Sequence, residues 1–214
     1  MASLLHFFRA GGWVMWPLLA LSLTCATVIV ERALAFRQWG QAPAQLLPQV
    51  LVLCGEARFE EALRLCQASS GPIAACVATV IERRELSAAQ IERRVEEVGA
   101  GFWLRLERGL SVLDTATTIS PLLGLLGTIL GMIGAFNAIG AQQARGNSDA
   151  VLGGVGEALY ATAMGITIAV VSFVAYNGFA ARIRRLTDET ELAVTRVLNV
   201  LDESRNESRA EVQG

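Results

Sequence analysis

Three long stretches of this 214-residue chain carry almost no charge, and they constrain its fold more than any other feature. They run from about Gly12 to Phe36, from about Thr115 to Ile139 and from about Val155 to Ala181. A helix rises 1.5 Å per residue, so each can cross a hydrocarbon core of ~30 Å. Hydrophobic residues make up 53% of the chain. The mean hydropathy is +0.44, too apolar for an ordinary soluble domain. The expected fold is therefore an all-α integral membrane protein with three transmembrane helices. A formal net charge of −2 gives no footprint for nucleic acid.

The first stretch, GWVMWPLLALSLTCATVIVERALAF, is too long for the apolar core of a cleaved signal peptide and has only Arg9 before it. It reads as a retained span, with Trp13 and Trp16 at an aromatic belt. Arginine placement sets the orientation. Arg32, Arg37, Arg105, Arg108 and Arg182 flank the spans on one side, and the link between spans two and three holds only Arg145. The positive-inside rule then puts the large loop and the C-terminus in the cytoplasm and the N-terminus outside. The expected division is 1–36 (N-terminal segment and span one), 37–114 (cytoplasmic helical loop), 115–140 (span two), 141–154 (short periplasmic link), 155–181 (span three) and 182–214 (cytoplasmic helix and tail).

The cytoplasmic part reads as helical. FEEALRLCQ places Phe59, Leu63 and Cys66 on one stripe, and SSGP breaks the chain at Ser69 to Pro72. Ser87 and Gln90 have the spacing of a capping box. In the helix that follows, Glu92 and Glu96 are spaced to pair weakly with Arg93. Gly99, Gly101 and Gly109 weaken that helix without stopping it, so it is expected to run on into span two. The C-terminal segment likewise continues span three. Cys25, Cys54, Cys66 and Cys76 show no CxxC spacing, and His6 stands alone. No metal, cofactor or disulfide is expected, and no nucleophile–base pair suggests an enzyme.

Span two contains PLLGLLGTILGMIGAF, in which Gly124, Gly127, Gly131 and Gly134 recur at steps of three and four and so share a helix face. Span three has a corresponding seam of Ala158, Ala161 or Thr162, Gly165, Ala169 and Ser172. Lipid supplies no hydrophobic drive between helices, so small seams that let backbones approach are a main means of packing them, within a chain or between copies. Both spans also carry hydroxyls, Thr128 among them, although a membrane threonine commonly bonds its own helix. Glu157 costs several kcal/mol in hydrocarbon unless paired, protonated or hydrated, which makes it a functional candidate. The alternative is an acid at the interface, in the first turn of the span, where it favours the helix dipole.

Taken together, Pro121 to Thr128 (PLLGLLGT), Glu157 to Gly165 (EALYATAMG) and Tyr176–Asn177 resemble the MotA/TolQ/ExbB proton-channel family, most closely its ExbB and TolQ branch. The resemblance implies an inner-membrane homopentamer around a central pore. That pore would hold the helices of a single-span ExbD- or TolR-like partner. It also implies work delivered through a TonB- or TolA-like protein, for outer-membrane transport or envelope maintenance. The family's functional polar positions fall on Thr128, Glu157 and Thr162. Glu157 and Thr162 are about 140° apart on an ideal helix, so they cannot both point into one narrow pore. Gly153 and Val171 stand where the family often carries proline, so no proline is present to kink the span there. The sequence lacks the long N-terminal extension of some ExbB proteins, which suits a TolQ-like or short ExbB-like member. The alternatives are a flagellar-stator-like subunit, which would call for four spans, and a passive membrane scaffold or secondary transporter, the transporter calling for inverted repeats or broken helices, which are not seen.

Overall fold

In a membrane the backbone must satisfy its own polar groups, and uninterrupted apolar helices do so. The computed structural model describes residues 12–39, 45–141 and 148–213, with side chains described within 12–37, 45–137, 153–156 and 158–204. Seven helices follow one another among these residues: α1 Met15–Trp39, α2 Leu46–Gly55, α3 Phe59–Gln67, α4 Pro72–Glu82, α5 Ala88–Glu107, α6 Leu110–Ala141 and α7 Ser148–Gln213. Three apolar helical segments, with windows of mean hydropathy 1.7, 1.9 and 2.0, are long enough to cross a membrane.

Two compact units divide the chain. One holds the described residues up to Glu31 together with Gly109–Phe179. Here Met15 and Leu18 of α1, with Val14 in the turn before it, are buried against Ala161 and Ile168 of α7. Farther along, Cys25 packs with Leu113 and Ala116 of α6, and Tyr176 and Phe179 lie against them. Two hydroxyls of α1 turn back on their own helix: Thr24 donates to the Ala20 carbonyl and Thr27 to that of Leu23, both at 2.8 Å. Many large apolar side chains face outward, including Leu122, Ile129 and Phe136 on α6 and Val170 and Phe173 on α7.

The other unit holds Arg32–Arg108 and the described residues from Ala180 on. Its core joins Val50 and Cys54 of α2, Ala62 and Cys66 of α3, Val77 and Val80 of α4, Ile91 of α5 and Val194 and Val197 of α7. The FEEALRLCQ helix forms over its expected length and buries Ala62 and Cys66. Gly71, at φ 124°, provides the break before Pro72 opens α4. The capping box also forms, with the Ser87 N–H donating to Gln90 Oε1 at 3.2 Å. The expected pairing of Glu92 and Glu96 with Arg93 does not; the pair on that helix is Arg94–Glu97 at 3.1 Å. The three remaining cysteines are buried thiols. Burial pushes each of Cys54, Cys66 and Cys76 from an ordinary 9.0 up to about 11.

One expectation is corrected here. The helix before span two does not run on; α5 ends at Glu107 and α6 begins at Leu110. Gly109 adopts φ 82°, a conformation that side-chain-bearing residues avoid, and so ends the helix outright. The carbonyls left at the end of α5 are met by a distant residue: buried Arg32 of α1 donates from Nη1 to the Arg105 carbonyl at 2.7 Å and to that of Leu106 at 3.5 Å. A guanidinium there satisfies orphan carbonyls and complements the negative end of the helix dipole. α7, in contrast, runs unbroken through Val171 over its full 66 residues, with no proline to interrupt it.

Candidate functional site

The site is built on the contact between α6 and α7. Their small residues meet as antiparallel neighbours. A Cβ added to Gly124 would lie 3.0 Å from Thr162 Cα, and one added to Gly131 would lie 2.9 Å from the Gly154 carbonyl oxygen. A Cβ on Gly127 would overlap that of Ala161, and one on Gly165 would strike the Ser120 carbonyl. Gly154 in turn faces Ala135, whose Cβ would be 2.9 Å away. At Gly127, Gly131, Gly154 and Gly165 these are distances that real Cβ atoms essentially never show, and at Gly124 the contact would be tight, so the two helices approach this closely because the glycines carry no side chain.

The structure separates the seam residues named from sequence. Gly124, Gly127, Gly131, Ala158, Ala161 and Gly165 are buried in this contact, and Ala169 is half-buried. Gly134 is exposed, with open space where its Cβ would be. Ala135, one residue on, is buried and continues the face. Ser120 and Gly154 complete the seam. Small size and helix phase were the signals available for them.

The three polar positions named from sequence, Thr162, Thr128 and Glu157, fall into different situations. Thr162 reaches across the seam, its Oγ1 donating to the Gly124 carbonyl at 3.0 Å. Thr128 turns back on α6 and donates to the Leu125 carbonyl at 2.7 Å. The structure therefore does not join these two hydroxyls to each other. Each has committed its single proton to a main-chain carbonyl and keeps lone pairs to accept with. Glu157 is the tenth residue of α7, and its side chain lies outside the described ones. The dipole acts within about the first turn, so a capping role does not account for an acid at this depth in the helix. Ser172 is buried, and its hydroxyl finds no hydrogen-bond partner among the described residues. Pro121 lies inside α6 and has no N–H, which leaves the Thr117 carbonyl without its usual helical donor.

The sequence profile of the MotA/TolQ/ExbB proton channel family matches residues 68–192, from the loop before α4 through the seam and into the later part of α7. The chain belongs to that family. Among relatives, a putative biopolymer transport protein ExbB-like 3 of Synechocystis is 30% identical over 195 residues, covering 87% of this chain and 93% of the relative. The biopolymer transport protein ExbB of Salmonella typhimurium is 40% identical over 100 residues, 47% of this chain and 39% of its own length. The exbB1 protein of Vibrio cholerae is 41% identical over 86 residues, 38% of each chain. Family membership and the three apolar helices together make this a multi-pass membrane protein of the ExbB branch.

Proposed function

We propose that this chain is the channel subunit of a proton-driven machine in a bacterial inner membrane. Its N-terminus faces the periplasm and its C-terminus the cytoplasm, with the spans and loops divided as the sequence suggests. Five copies surround a pore that holds the helices of a single-span ExbD- or TolR-like partner. Proton flow then drives mechanical work through a TonB- or TolA-like protein, for biopolymer transport or envelope maintenance. The observation carrying this reading is the close small-residue α6–α7 contact within the matched residues, with Thr128, Glu157 and Thr162 on those same two helices.

On this reading Glu157 takes up and releases protons. Thr128 and Thr162, whose own protons are held by Leu125 and Gly124, act as acceptors that order water or a protonated acid beside them. The seam glycines and alanines keep α6 and α7 in register so that these groups hold their places. The test is Glu157→Gln, in which the side chain keeps its shape but cannot titrate. The expected result is an assembled complex that conducts no protons and powers no transport. A variant that assembles and drives transport normally would remove Glu157 from the proton path.

A further inference from the structure

The second unit contains a groove of about 420 Å³ between α5 and α7 that the proton path does not use. Apolar side chains line it, Val95 and Trp103 from α5 and Val194 and Leu198 from α7. Three glutamates, Glu92, Glu96 and Glu191, also line it, and no arginine does. All three carboxylates are exposed, and none makes an ion pair among the described residues. An open apolar slot with an indole in its wall and unmatched negative charge suits an apolar side chain accompanied by a cation.

The chain itself carries such a pair at the same level of α7. Leu192 is 51% exposed, and Arg196, four residues on, is exposed with no ion pair among the described residues. Residues four apart share a face, and this face lies about 150° around α7 from the residues that line the groove. The two surfaces therefore look away from each other on one molecule.

We propose that the groove of one copy seats Leu192 and Arg196 of the next. The leucine fills the slot beside Trp103 and Val95, and the guanidinium lies among Glu92, Glu96 and Glu191. Giving and receiving surfaces differ, so the contact is heterologous and repeats from copy to copy, closing into a ring where the rotation allows. The inference rests on the proposed ring to the extent that it needs more than one copy. A basic segment of a partner protein is the rival occupant. The second copy is favoured because the matching apolar and basic side chains are already present at the same helical level.

The test co-expresses two differently tagged full-length chains, one with Glu96→Cys and one with Arg196→Cys, and oxidises them in membranes. The expected product is a covalent dimer carrying both tags, which neither chain forms alone. A second variant set guards against a chain that merely assembles poorly. Arg196→Glu is expected to lower recovery of the oligomer by roughly tenfold or more through like-charge contact, and adding Glu96→Arg and Glu191→Arg to the same chain to restore it. An intact oligomer with no mixed-tag dimer and no rescue overturns this interface and leaves the proposed function standing. With a photo-reactive amino acid at position 96 instead, and the single-span partner co-expressed, a cross-link to that partner overturns it in favour of the rival occupant. Absence of any oligomer removes the ring and this contact with it.

Discussion

At the scale of single residues, the α6–α7 seam makes predictions that differ between neighbouring glycines. Gly127→Ala brings a methyl onto that of Ala161 and is expected to cost about 1–3 kcal/mol as overpacking, read as a lower unfolding midpoint in mild detergent. Ala161→Gly in the same chain should recover part of the loss. Gly134→Ala meets open space and should be neutral, or stabilising by up to ~1 kcal/mol through helix propensity. Equal losses at the two positions would show that the helices do not pack in this register. Thr162→Val removes a bond between helices and should cost about 0.6 kcal/mol, with ~1.7 as a ceiling, whereas Thr128→Val breaks only a bond within its own helix. The buried cysteines predict a pH effect. Cys54, Cys66 and Cys76 ionise near 11 when folded and near 9.0 when ordinary, so they stabilise the fold fully below the lower value. That contribution is lost as pH rises from about 9 towards 11. Alkylation at pH 8 should be slow in the folded protein and rapid once it is unfolded; rapid labelling of the folded chain would contradict their burial.

At the scale of elements, the joint between α5 and α6 shows where the sequence could and could not be read. The small-residue periodicity of α6, the FEEALRLCQ helix and the capping box at Ser87 are local patterns, and they are legible because helix geometry maps spacing directly onto a face. Gly109 was visible as a weak point but not as a stop, because a glycine tolerates both helical and positive φ and only the tertiary fold selects between them. Arg32 was legible only as a membrane-edge charge. Its bond to the end of α5 spans 73 residues and leaves no local trace. At the site, helix phase could mark Gly124, Gly127 and Gly131 as one face. That Thr162 bonds the Gly124 carbonyl depends on the α6–α7 register, which no single segment encodes. Arg32→Met should cost about 1.5–3 kcal/mol by stranding the Arg105 and Leu106 carbonyls. Arg32→Lys should recover only part of this, since an ammonium lacks the planar fork. A methionine variant with unchanged thermal stability would show that the cap contributes nothing.

At the scale of the whole molecule, the exposed surface indicates what a single chain leaves unfinished. Large apolar side chains cover the outward faces of α6 and α7, as lipid or neighbouring helices require. The second unit adds a groove lined by unmatched glutamates. An assembly of several copies around a partner would engage both kinds of surface. Native mass spectrometry of the chain, co-expressed with an ExbD-like single-span protein and extracted in mild detergent, tests that central claim most directly. The account predicts five copies that retain the partner. A stable monomer or dimer with no partner, reproduced across detergents, would contradict it, and the small seams would then serve only to pack α6 against α7 within one chain.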